Sequence, residues 1–156
     1  MIQIKIPGYK TLRLEHLVLD YNGTLAVDGE PVDGVTRALT ALAEKLQIHV
    51  ITADTFGKVH ARLSSVPCGI SILPPEKQDA GKLEYVRQLG SDATVCIGNG
   101  RNDRLMLKAA ALGIAIILAE GAAAVSLTDA DIVCTDILDA LALLTHPLRL
   151  TATLRS

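Results

Sequence analysis

The chain has 156 residues, 49% of them hydrophobic and only 3% aromatic, with a formal net charge of −2. Such a length bounds it to one domain, able to bury an aliphatic core without disulfide or metal staples, and a core of Ala, Val, Ile and Leu suits parallel strands buried under helices. The charge leaves no basic field for nucleic acid, Cys68, Cys96 and Cys134 lack a C-x-x-C spacing, and no apolar run approaches the roughly 18 residues that cross a bilayer.

In chain order, residues 2 to 6 alternate as a strand, Pro7-Gly8 marks a turn, and residues 12 to 20 read as a second strand ending on Asp20. Residues 21 to 33, rich in Gly, Asn, Asp and Pro, predict a loop or small β-flap before a helix over 34–46. Strand 48–53, a helix near 57–65, the short strand 70–73 and a helix over 79–89 carrying Lys82 follow. Next come strand 94–98, a turn at Asn99–Asn102, a helix over 103–112 and strand 113–119. Strand 131–135, a helix over 136–145 and an amphipathic tail after Pro147 close the chain. Alternating strands and helices predict an α/β fold, a three-layer, doubly wound, Rossmann-like parallel sheet. In open sheets of this kind, ligands bind beyond the carboxyl ends of strands, where strand order reverses. Asp20, Thr52, Asn99 and Asp103 all fall at or just after predicted strand ends, so residues far apart in sequence are expected on one rim.

The N-terminal segment has no secretory pattern, and the expectation is a single reduced, cytoplasmic domain over residues 1–156, without nucleic-acid or membrane partners. The histidines His16, His49, His60 and His146 fit no metal-ligand spacing and read as structural or surface groups.

The segment Leu17–Ala26 (LVLDYNGTLA) resembles the first signature of the haloacid dehalogenase superfamily, an apolar strand ending in D-x-D-G-T or D-K-T-G-T. Residues 98–103 (GNGRND) resemble its fourth signature, in particular the G-D-G-x-N-D form of P-type ATPases and related phosphatases. Between them, Thr52-Ala53-Asp54 resembles the second signature and Lys82, on a predicted helix, the third. The order decides the matter, since Asp20, Thr52, Lys82 and Asp103 occur in family sequence, each on the expected element, over roughly residues 14 to 135. The nearest resemblance is to stand-alone proteins like the phosphorylation domain of P-type ATPases. Both intervals where a cap domain could sit are filled by ordinary βα units, which implies a capless fold.

The resemblance implies phosphohydrolase or phosphotransferase chemistry on a small phosphorylated substrate. Asp20 would attack phosphorus and form an aspartyl-phosphate, splitting one difficult step into two. Thr52 and Lys82 would stabilise the transferring oxygens, with Gly23, Thr24, Ala53 and Asn102 around the substrate. Mg²⁺ would be held by Asp20, Asn22 (through its backbone carbonyl), Asn99 and Asp103, since this ion takes oxygen ligands and keeps several waters.

Two positions depart from the pattern. Asn22 stands where the family places the second Asp, the general acid and base, and a carboxamide cannot exchange a proton near neutral pH. That step is typically worth ~10²–10⁴-fold, so slow turnover is expected. Asn99 replaces the first Asp of the fourth signature, which removes a charge from the metal site. Asp28 and Asp33 in the flap are candidate substitute donors, or plain solvated turn carboxylates. The alternative to an enzyme is a binding or regulatory protein that keeps the phosphate pocket. A homo-oligomer covering the uncapped site is also implied, with Leu148, Leu150 and Leu154 as either its contact surface or a tail packed on its own sheet.

Overall fold

The computed structural model describes residues 1–54 and 57–156. The chain opens with an antiparallel ribbon, β1 (Ile2–Lys5) on β2 (Thr11–Leu14), whose alternating pattern buries Ile2, Ile4, Leu12 and Leu14 on one side. It then enters the main sheet as β3 (His16–Leu19). The stretch expected as one strand over 12–20 is therefore two, because Glu15 forms a joint: its N–H donates to the Ala93 carbonyl and its carbonyl accepts from the Gln47 N–H. The consecutive polar residues Glu15 and His16 interrupt the apolar alternation at this joint.

A two-stranded flap follows, β4 (Ala26–Val27) on β5 (Glu30–Pro31), then α1 (Val35–Leu42), β6 (Gln47–Thr52), α2 (Val59–Arg62), β7 (Cys68–Ile72) and α3 (Gln78–Leu89). The second half runs β8 (Thr94–Gly98), α4 (Arg104–Ala109), β9 (Leu112–Ile116), α5 (Ala124–Asp129), β10 (Ile132–Cys134), α6 (Ile137–Thr145) and α7 (Pro147–Leu154). Single 3₁₀ turns at Ser91–Ala93 and Arg101–Asp103 precede β8 and α4. The helices expected over 34–46, 57–65 and 103–112 are shorter than the apolar pattern suggested, and α5 lies in a segment for which no helix was expected. The Ala123 N-cap of α5 offers no side-chain hydrogen bond, which removes the usual signal of a helix start. By contrast, Asp136 caps α6 by accepting from the Leu138 and Asp139 N–H groups, an arrangement worth about 1 kcal/mol.

The central sheet has the order β10–β9–β8–β3–β6–β7, and every pairing is parallel. Because successive side chains point to opposite faces, β3 sends Leu17 and Leu19 into one apolar cluster and Val18 into another. The first cluster takes Val35, Leu39 and Leu42 of α1 with Ile137, Ala140, Leu141 and Leu144 of α6. The second takes Val86 of α3 with Met106 and Leu107 of α4. This is the doubly wound α/β architecture with helices on both faces. The chain order climbs from β3 to β7 on one side, then restarts at β8 on the other side of β3, so the reversal point lies between the tips of β3 and β8.

Between β3 and α1 stands only the flap, and no cap domain occurs among the described residues. In the tail, Leu150 is buried and packs into the first cluster with Leu154 against it, while Leu148 is 81% exposed. No single described helix is long and apolar enough to cross a membrane.

Candidate active site

β3, β6 and β8 deliver Asp20, Thr52 and Asn99 to the same rim, at the reversal point of the sheet. From the opposite face α3 sends Lys82 inward until its ammonium is fully buried, 2.7 Å from Asp20 Oδ1 and 2.6 Å from Asp103 Oδ1. Asp103 is itself buried, and its other oxygen accepts from the backbone N–H groups of Asn99 (2.9 Å) and Gly100 (2.8 Å). Gly98 makes this possible, since a β-carbon there would lie 2.5 Å from the Asp103 carboxyl carbon.

One ammonium therefore serves two carboxylates. Burial and the charge of Asp103 push the Asp20 carboxyl up to about 7, against the opposing pull of Lys82. Burial alone would lower the Lys82 ammonium, but the two carboxylates outweigh it and hold it charged well above its usual range.

The rim encloses a cavity of about 170 Å³ lined by Asp20, Asn22, Thr52, Ala53, Asn99 and Asn102, together with Gln78 and Gly100. The Thr52 hydroxyl oxygen accepts from the Asp54 N–H at 2.9 Å, which leaves its own proton free to donate. Asp54 holds a left-handed backbone (φ 49) while its carboxylate accepts from the N–H groups of Lys58 and Val59, fixing the start of α2. Gly23 and Thr24 do not line the cavity. They carry Asn99 instead: Thr24 donates to the Asn99 amide oxygen, and the left-handed Gly23 (φ 76) leaves room where a β-carbon would strike that amide. Asp103 likewise faces Lys82 and the amides rather than the cavity.

Gln78 and Ser126 are residues at this rim that the sequence did not single out, while Gly100 belongs to the fourth-signature segment. Gln78 accepts from the Asn102 amide at 2.6 Å, and Ser126 donates to the Gly100 carbonyl at 2.6 Å. The loop after β9 closes the far side, with Asn99 donating to the Gly121 carbonyl and accepting at its own carbonyl from the Ala123 N–H. The flap is moored at three points. Buried Tyr21 donates to the Gly29 carbonyl from beneath, Glu30 pairs with Lys58 and Arg62, and the Asp28 N–H donates to Glu120. Asp28 and Asp33 are exposed and neither lines the cavity.

The groups lining the cavity include oxygen ligands of the kind a hard cation such as Mg²⁺ takes, the Asp20 carboxylate and the carboxamide oxygens of Asn22 and Asn99. The Asn22 side-chain oxygen is buried at this wall with no hydrogen-bond partner, a costly state for an acceptor unless something donates to it or coordinates it. The set is thin in charge, and no three His, Cys, Asp or Glu side chains form a metal cage among the described residues.

Strand order, reversal-point cavity and buried Lys–Asp pairs define the class: the chain has the haloacid dehalogenase fold. In structure it is similar to 3-deoxy-D-manno-octulosonate 8-phosphate phosphatase from Moraxella catarrhalis, solved with magnesium and phosphate ions, at a TM-score of 0.71 and 14% identity over 85% of this chain and 86% of that one. It is also similar to BT1666 from Bacteroides thetaiotaomicron, a phosphatase of the HAD superfamily, at a TM-score of 0.58 and 15% identity over 90% and 96%. In sequence it belongs to the family of the uncharacterized protein MJ0072 of Methanocaldococcus jannaschii, 46% identical over 25% of this chain and 89% of that protein. The uncharacterized protein MJ0073 of the same organism is 52% identical over 39% of this chain, a match that spans 66% of MJ0073. No protein-family model matches the chain.

Proposed function

We propose that the chain is a phosphohydrolase or phosphotransferase that works through an aspartyl-phosphate on Asp20. The observation that carries this reading is the buried Lys82 ammonium held between Asp20 and Asp103 at the wall of a small polar cavity. An Asp20 oxygen attacks phosphorus, the bond from phosphorus to the leaving oxygen breaks, and that oxygen takes its proton from water, because Asn22 has none to give. Water then attacks phosphorus, releasing inorganic phosphate and restoring the Asp20 carboxylate. Thr52 donates to a non-bridging phosphoryl oxygen, and Lys82 offsets the charge that gathers there. Asp103 is a positioning residue, holding Lys82 in place.

Asp20, Asn22 and Asn99 would hold Mg²⁺, which, when bound, polarises the phosphoryl group and offsets its charge against Asp20. The substrate is a small phosphorylated compound, met by an uncapped rim. The two asparagines favour a second reading, a protein that binds phosphate compounds but turns them over negligibly.

Turnover of p-nitrophenyl phosphate or acetyl phosphate with Mg²⁺ separates the two. Wild type should be slow, Asp20→Asn inactive, and Asn22→Asp faster by ~10²-fold or more as the missing acid returns. Inactivity of both wild type and Asn22→Asp would leave the binder.

A further inference from the structure

The phosphate cavity does not end at Gln78 and Asn102. The same hydrogen-bonded pair forms one wall of an adjoining surface depression of about 280 Å³, whose other lining residues are Pro75, Lys77, Asp79 and Arg101. A phosphoryl group at Asp20 takes up a large share of a 170 Å³ pocket, so a leaving group of more than a few atoms extends past this wall, where it meets two cations.

Lys77 and Arg101 are both exposed, and neither takes part in an ion pair among the described residues. Lys58, Arg62, Arg104 and Lys108 each have a carboxylate within 4.0 Å, whereas other exposed cations such as Lys5 and Arg37 have none, so what sets Lys77 and Arg101 apart is their place beside the cavity. Asp79 is the one carboxylate in the depression, and one of its oxygens already accepts from the Ala80 N–H. Two positive groups against one negative leave a net positive surface beside a catalytic rim whose own Asp20, Asp103 and Lys82 sum to a negative charge. Arg101 sits inside the GNGRND segment, one residue before Asn102, so cavity and depression are built by the same turn.

We propose that the substrate carries a second anionic group, a carboxylate or a further phosphate on the leaving-group side, which lies in this depression against Lys77 and Arg101. The proposal rests on the phosphohydrolase reading and adds the class of substrate to it.

The test compares two probes that share a phosphate ester and differ in one group: 3-phosphoglycerate, which bears a carboxylate, and glycerol 3-phosphate, which bears a hydroxymethyl. At low ionic strength wild type should prefer the carboxylated probe by about fivefold or more in kcat/KM, and added salt should erode the preference. The preference should fall towards one in Arg101→Gln and further in the Lys77→Gln/Arg101→Gln pair, the single variant guarding against a fold lost through Lys77. Equal kcat/KM in wild type, or a preference untouched by either variant, overturns the second anionic site. If wild type hydrolyses neither probe, calorimetric binding of both to the Asp20→Asn protein decides the anionic site, and the phosphohydrolase reading falls only if p-nitrophenyl phosphate and acetyl phosphate are left intact as well. Tighter binding of the carboxylated probe that disappears with Arg101→Gln keeps the anionic site, whereas equal binding removes it.

Discussion

β3 and β6 each carry polar side chains at both ends, and the two ends are put to different use. At the carboxyl tips, Asp20 and Thr52 open on a cavity with a buried ammonium beneath them. At the other end, His16 and His49 come within 3.2 Å of each other and His49 reaches the Tyr85 hydroxyl at 2.9 Å. That chain of hydrogen bonds satisfies itself and faces no described cavity. Burial of polar groups is common to both ends, so burial alone does not mark a site. What distinguishes the tips is imbalance: one ammonium for two carboxylates, an orphaned Asn22 oxygen, and space for a ligand to complete the set.

The comparison breaks most visibly at Lys82. Replacing it with Met leaves two carboxylates buried without a counter-charge and should cost about 3–5 kcal/mol in urea unfolding at pH 8. Adding Asp103→Asn to that variant should recover a large part of the loss, as expected of groups that act as a unit. An additive double variant would mean that the three groups are not one network.

A smaller effect lies in the charge state of Asp20. Its pKa is raised when folded, so its contribution to stability is complete below about 3.8 and is lost as pH rises through about 7. In metal-free protein, the carboxyl carbon of Asp20 should titrate by NMR near 7, and Mg²⁺ should move the midpoint down, because the cation favours the charged form. A midpoint unmoved by millimolar Mg²⁺ would argue against Asp20 as a metal ligand.

The smallest effect belongs to the far end. Burial, then the neighbouring His16, lowers the His49 pKa, so its contribution is present above the ordinary histidine value and lost as pH falls below it. His49→Gln should flatten the fall in melting temperature between pH 7 and 5 while leaving turnover at the tips as it was. A change in turnover would show that the two ends communicate along the strands.

Much of this was legible in the sequence because the tips of parallel strands are local features: an apolar run that stops at Asp20, Thr52 or Gly98 announces its own end. The alternation of elements likewise led to the wound sheet and its rim. What stayed hidden depends on partners distant in the chain. Gln78 has no meaning until Asn102 is beside it, and His16 and His49 look isolated until β3 and β6 pair. The fourth signature named Asp103 without revealing that Lys82 and two backbone amides use up both its oxygens. The polar pair Glu15-His16 marks a break between two strands, but the bonds of Glu15 to Ala93 and Gln47 that make the joint depend on distant partners.

The moorings of the flap bear on how fast a compound can come and go. Glu30's ion pairs with Lys58 and Arg62 are half exposed and add little, whereas the Tyr21 bond to Gly29 is buried and holds from below. A mouth propped in this way needs no hinge to swing before a molecule enters, so encounter should be set by diffusion and charge, and thickening the solvent should slow capture without touching the bond-breaking step.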